Sequence, residues 1–173
     1  MAAKKTIAIV EATELLNAAV ENKLAQANCR VLLVSEDEAR FAGLLKAVAG
    51  NMPGAEIEAL NCIKEGCWEA DIIVLGINDR LIEETVSKIK EVATQKIVVC
   101  LTKHEGVMTY QPQVANELQR SLPHSKAVYV FTTPASPDLQ VAGNEEEAVD
   151  AVISLADKGD IRLLKAGPLS ALS

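Results

Sequence analysis

Aromatic residues are scarce: two Phe, two Tyr and one Trp make up 3% of the 173-residue chain. A chain of this length buries a sizeable core, so that core must come from Val, Ile, Leu and Ala. Such side chains suit a parallel sheet covered by helices. Positive charge is also short. Lys and Arg number 17 against 24 Asp and Glu, for a formal net charge of −7. Without a basic run there is no electrostatic footprint for nucleic acid or an anionic membrane surface, and neither is expected as a partner. No apolar run approaches the roughly 18 residues that span a bilayer. Met1-Ala2-Ala3-Lys4-Lys5 leads straight into an apolar run without the h-region and cleavage site of a signal peptide. A cytoplasmic location is therefore expected.

Histidine and cysteine chemistry is equally thin. His104 and His124 are the only histidines, and neither has a partner at nucleophile or metal spacing. Cys29, Cys62, Cys67 and Cys100 form no CxxC, and no histidine lies near the Cys62–Cys67 pair. The reading is reduced cysteines in or beside the core, with no metal site and no disulfide framework. Cys100 reads as a buried strand residue, which argues against a Cys100–His104 nucleophile pair. No catalytic side chain is expected. A surface position is expected for both histidines; the alternative for His104, which follows a strand with Lys103 and Glu105, is a place facing a ligand in the crevice.

What the chain does have is alternation of strand and helix. Residues 6–10 are a short apolar, β-branched run, as in a strand buried on both faces. Thr13 is placed to cap a helix carrying Leu15, Leu16, Ala19, Val20 and Leu24 at helical spacing. Residues 30–35 form a second strand. Ser35-Glu36-Asp37-Glu38 then caps a helix with Ala39, Phe41, Ala42, Leu45 and Val48 inward, ended by Gly50 and Pro53. Further strands are expected at 55–60 near the sheet edge, 71–76, 96–101, 127–131, 139–142 and 161–165. Helices are expected at 62–70, around Leu81 to Val92, around Val114 to Leu122, and at 145–157. Residues 102–113 read as a long connection and 132–137 as a rigid Pro-bounded loop. The pattern predicts one α/β domain over residues 1–173, with an open, mostly parallel sheet and helices on both faces. Ligands of such sheets bind in the crevice at the carboxyl ends of the strands.

Four stretches carry a resemblance: Lys5-Thr6-Ile7-Ala8-Ile9-Val10; Ala70-Asp71-Ile72-Ile73-Val74-Leu75-Gly76; Phe131-Thr132-Thr133-Pro134; and Val141-Ala142-Gly143-Asn144-Glu145-Glu146-Glu147-Ala148, closed by Ala166-Gly167-Pro168-Leu169. Together they resemble the Rossmann domain of the coenzyme F(420)-dependent NADP oxidoreductases, itself similar to the N-terminal domain of pyrroline-5-carboxylate reductases. The resemblance implies a three-layer, doubly wound Rossmann fold, an NADP site and a homodimer. It implies cofactor contacts at Glu11, Ala12, Thr13, Glu14 and Leu15 in the first turn, Ser35 and Glu36 after the second strand, Gly76, Ile77 and Asn78 after the most apolar strand, and Thr102 and Thr132 after later ones. The protein would be an NADP-dependent oxidoreductase that positions a nicotinamide and a second organic partner for hydride transfer.

Two departures bear on that reading. The family's G-x-G-x-x-G falls on Glu11-Ala12-Thr13-Glu14-Leu15-Leu16, so Glu11, Thr13 and Leu16 stand where glycines let backbone approach the pyrophosphate. Two carboxylates beside a helix N-terminus oppose an incoming pyrophosphate. The alternative function is a Rossmann-like binding or regulatory module that has lost dinucleotide binding. The second departure is Ser35-Glu36, where the family places Ser-Arg. A carboxylate there favours a ribose hydroxyl over a 2′-phosphate, unless it serves only to cap the next helix.

Overall fold

Ile7 and Ile9 face one side of the sheet, Ala8 and Val10 the other, and all four are fully buried. That two-sided burial is why the first strand shows no polar alternation. The structure is a computed structural model that describes residues 4–11, 28–49, 56–101 and 108–172. Its strands are β1 (Lys5–Val10), β2 (Cys29–Val34), β3 (Ile57–Leu60), β4 (Ile72–Leu75), β5 (Ile97–Cys100), β6 (Lys126–Thr133), β7 (Ser136–Gly143) and β8 (Leu164–Gly167). The helices are α1 (Glu38–Ala49), α2 (Ile63–Glu69), α3 (Ile82–Ile89), α4 (Pro112–Ser121) and α5 (Glu146–Lys158).

The strands form one sheet in the order β3-β2-β1-β4-β5-β6-β7-β8. Neighbours from β3 to β6 pair in parallel, β7 runs antiparallel to β6, and β8 pairs in parallel with β7. One face carries α2, α3 and α4, whose Ile63, Val86, Ile89 and Leu118 pack against Ala8, Leu32, Ile73 and Val98. The other carries α1 and α5, with Leu44, Ala148, Val149 and Val152 against Ile7, Leu33, Val74 and Val130. This is the three-layer, doubly wound Rossmann-type arrangement that the alternation predicts. Strand order reverses at β1, which lies between β2 and β4. The carboxyl ends of these three strands therefore border the crevice where such sheets take ligands.

Four local expectations are corrected. Residues 132–137 are not a loop: β6 runs on through Thr133, turns at Pro134–Ala135, and returns as an eight-residue β7. β8 pairs with β7 only at Gln140 to Ala142, so Pro137 lies where no ladder donor is required of it. Among the described side chains of α1, Phe41 and Leu44 are half-buried, while Ala39, Ala42 and Leu45 are exposed; the side chain of Val48 lies outside the described ones. This helix lies over the edge strand β3, and the edge covers a narrow stripe of it. Leu81 is exposed too, because it ends a short 3-10 turn, Asp79–Leu81, whose phase differs from that of α3. The last strand starts at Leu164 rather than 161, after α5 is closed by Gly159 and by Asp160 at φ 60.

Candidate functional site

Each carboxyl-end turn is tied to its neighbour one residue past the strand. Glu11 N–H donates to the Val34 carbonyl at 2.9 Å, Ser35 N–H to Leu60 at 3.1 Å, Gly76 N–H to Val10 at 2.9 Å and Leu101 N–H to Leu75 at 2.8 Å. These bonds carry the sheet ladder into the crevice and place Glu11, Ser35 and Gly76 side by side. Glu11 has φ 55, a left-handed conformation suited to glycine and costing other residues about 1–2 kcal/mol. At Glu11 the backbone thus has a conformation that glycine adopts readily, although a glutamate occupies it.

The Glu11 carboxylate has a defined seat. Ser35 Oγ donates to its oxygens at 2.9 and 3.1 Å, and Arg40 Nη1 donates to Oε2 at 2.9 Å. Glu11, Ser35, Arg40, Gly43 and Leu44 line a pocket of about 340 Å³. The side chain of Glu11 is 16% exposed and that of Arg40 63%. The carboxylate is therefore nearly enclosed, while its cation faces solvent.

Asp37 caps α1, its Oδ1 accepting from Arg40 N–H at 2.9 Å, and Ser35 Oγ accepts from Asp37 N–H at 3.3 Å. Glu36 neither caps α1 nor joins the pocket. Its Oε2 accepts from Ile63 N–H at 3.0 Å, capping α2 instead, and its Oε1 accepts from Lys88 on α3 at 3.0 Å. The Ile63 amide, then Lys88, hold the Glu36 carboxyl below the usual glutamate range, and Glu36 in turn raises Lys88. A depressed carboxyl stabilises the fold above its unfolded pKa, and that contribution is lost as pH falls through the folded value. Glu36→Gln is expected to cost about 0.5–1 kcal/mol at neutral pH, since the cap is only partly buried and its ion pair is screened. The difference between wild type and variant, followed by urea denaturation from pH 7 to pH 3, should shrink below the ordinary glutamate pKa of 4.5.

The other sequence candidates divide. Gly76 lies at the switch point beside Val10. Ile77 is 4% exposed and belongs to the core against α2, α3 and α4. Asn78 is exposed and caps the 3-10 turn, accepting from Arg80 N–H at 3.0 Å. Thr132 is inside β6: its N–H donates to Met108 and its carbonyl accepts from Tyr110 N–H, so this backbone is used by the sheet. Ala12, Thr13, Glu14, Leu15, Thr102 and His104 lie outside the described residues. Arg40 is the residue the sequence reading missed. Its signal was a cation in the first turn of a helix, where the dipole disfavours one and where a nearby anion is then expected.

Cys29, Cys67 and Cys100 are buried and Cys62 is half-buried. None of the four forms a disulfide, and burial pushes the Cys67 thiol up to about 12. Among the described residues no group of three or more His, Cys, Asp or Glu is arranged to hold a metal ion. Among them also, no helix is long and apolar enough to cross a membrane.

No family model and no curated protein matches the sequence. Solved structures do match. A candidate F420-dependent NADP reductase from Arthrobacter sp. FB24 is similar over 97% of this chain and 87% of its own, at 14% identity and a TM-score of 0.68. Plasmodium falciparum pyrroline carboxylate reductase, solved with NADP bound, is similar over 94% of this chain and 58% of its own, at 11% identity and a TM-score of 0.64. Mycobacterium tuberculosis 3-hydroxyisobutyrate dehydrogenase gives 95% and 55% coverage, 14% identity and a TM-score of 0.70. The chain spans little more than half the length of the last two. At these identities the likeness is one of fold, and the chain has the Rossmann-type α/β fold of these reductases and dehydrogenases.

Proposed function

We propose that the protein is an oxidoreductase that binds NADP across the carboxyl ends of β1, β2 and β4 and works with a deazaflavin-type partner. The observation that carries this reading is the convergence of Ser35 and Arg40 at the end of β2, with Glu36 withdrawn to α2. At this position of a dinucleotide-binding sheet, a carboxylate selects ribose hydroxyls and a nearby arginine accommodates a 2′-phosphate. The residue that argues against NADP in the sequence is therefore engaged elsewhere, and a guanidinium stands in its place. Support also comes from the neighbours, one named as an NADP reductase and another solved with NADP bound.

A bound nicotinamide would accept the hydride from the reduced deazaflavin, or return it to the oxidised one. The chain supplies Arg40 and Ser35 toward the adenosine phosphate, and a buried, apolar strand end at Val10 and Leu75 that keeps the crevice floor dry.

A second reading is favoured by one specific observation, the glutamate in the phosphate turn. In it the protein is a Rossmann-like module without dinucleotide chemistry, and Glu11 is structural. Calorimetric titration of NADPH, NADP, NADH and NAD separates the two. The oxidoreductase reading expects binding with preference for the 2′-phosphorylated pair, and hydride exchange with a reduced deazaflavin. Absence of binding by all four up to millimolar concentration, in wild type and in Glu11→Gly alike, establishes the second reading.

A further inference from the structure

We infer that Glu11 is an internal competitor for a ligand phosphate, seated on a Ser35–Arg40 anion site that it must vacate before the site can be used. The inference rests on the proposed nucleotide reading for the identity of the ligand, a phosphorylated ribose, but not for the existence of the anion site.

Three observations point the same way. First, the chemistry around the Glu11 carboxylate is that of a phosphate cradle: one hydroxyl within 2.9 and 3.1 Å of its two oxygens and one guanidinium 2.9 Å from Oε2. Arginine and serine are common donors to a phosphate, and a carboxylate presents two of the same oxygen acceptors. Second, a pocket of about 340 Å³ remains around the three groups, with Gly43 and Leu44 as its wall. A structural ion pair needs no such space. Third, the seat is reached through a backbone that glutamate does not favour. Glu11 holds φ 55, and its N–H is fixed on Val34. A residue strained into the place of a glycine, with its side chain turned onto the adjacent anion donors, is more than a surface ion pair.

The consequence is a like-for-like exchange. A ligand phosphate displaces the carboxylate and takes over the Ser35 hydroxyl and the Arg40 guanidinium. No covalent bond changes. Because the competitor is tethered, its effective concentration is at least millimolar, and the apparent affinity for phosphate falls accordingly. The same carboxylate penalises a phosphate that enters without displacing it, through repulsion of like charge. Glu11 thereby sets a threshold: ligands whose phosphate can compete for Arg40 open the site, and unphosphorylated ribose gains nothing from doing so.

Inorganic phosphate is the direct probe, because it needs neither adenine nor ribose contacts. Its titration is followed by NMR at the Arg40 side-chain Nε–H and the Ser35 amide, in wild type, Glu11→Gln and Glu11→Gln/Arg40→Ala. The expected result is binding at least about tenfold tighter in Glu11→Gln than in wild type, lost again in the double variant. Equal binding by wild type and Glu11→Gln overturns the inference, as does a gain that survives removal of Arg40. Glu11→Gly, which suits the left-handed backbone, gives the same readout if the glutamine variant folds poorly. The two proposals fail separately. A phosphate gain without NADPH binding in the variant sinks the oxidoreductase reading and leaves the competitor in place. NADPH binding equally to wild type and variant, with no phosphate gain, does the reverse.

Discussion

A chain carrying Glu11→Gly is expected to bind NADPH between about tenfold and about a thousandfold more tightly than wild type. The upper figure follows from one carboxylate facing a phosphate at about 4 Å and an effective dielectric near 20, a repulsion of about 4 kcal/mol. Movement of the side chain and salt screening bring the effect down toward the lower figure. The same substitution should leave stability almost unchanged. Removing a side chain from φ 55 returns about 1–2 kcal/mol, while the bonds to Ser35 and Arg40 are lost. Affinity and stability are thus expected to separate, with calorimetry reporting the first and urea midpoints the second. A gain in affinity that merely tracked a gain in stability would point to folding rather than to the site.

Tyr129→Ala is expected to cost the fold about 3–5 kcal/mol, a large share of the roughly 5–15 kcal/mol that holds a domain together. Tyr129 is fully buried on β6, between Phe131 at 5.0 Å and Tyr110 at 5.8 Å between ring centroids. With only five aromatic residues in the chain, this trio holds most of its aromatic surface. The ring also has a polar duty: its hydroxyl accepts from Gln111 N–H at 3.0 Å, at the entry to α4. The Tyr110 hydroxyl in turn donates to the Leu172 carbonyl, drawing the C-terminal turn onto the same cluster. Tyr129→Phe isolates the hydroxyl and should cost about 1–3 kcal/mol, through an amide left without its acceptor. Urea denaturation of both variants checks the ratio. A Tyr129→Ala loss no greater than that of Tyr129→Phe would mean that the cluster contributes little packing.

The strands were legible where burial is two-sided. Residues 6–10, 30–35, 71–76 and 96–101 are apolar runs because helices cover both faces of the sheet there, and the observed strands match them to within a residue at each end. The β6–β7 hairpin was not legible. Its turn, Pro134–Ala135, lacks the Asn-Gly or Asp-Gly pair that marks a tight hairpin, and two prolines disguise the strand ends as loop. Helical spacing put Leu45 on the inner face of α1, whereas packing over the edge strand turns Leu44 inward and leaves Leu45 exposed.

The site was half legible for a similar reason. Glu11 and Ser35 stand out in the sequence because they end buried strands, and strand ends can be read locally. The direction of Glu36 could not be, since its partner Ile63 lies 27 residues further on and reaches it only through the crossover from β3 to α2. Arg40 was hidden in the capping run of α1, where its neighbours Asp37 and Glu38 account for the local sequence without it. What composition and spacing cannot convey is which of several nearby charges meet. Here that choice moves the reading of the β2 end from a ribose hydroxyl toward a phosphate.

The central claim is that the crevice at the carboxyl ends of β1, β2 and β4 takes the nucleotide. An NMR titration of the wild-type protein with NADPH tests it most directly. The amides of Glu11, Ser35, Arg40 and Gly76 are expected to shift in a saturable way, while those of Lys5, Arg30 and Lys126 at the opposite ends of the strands stay in place. The contrary result is a titration in which those crevice amides do not move. Shifts confined to a pocket of about 580 Å³ between α3 and α4, lined by Glu83, Lys90, Glu117 and His124, would also be contrary.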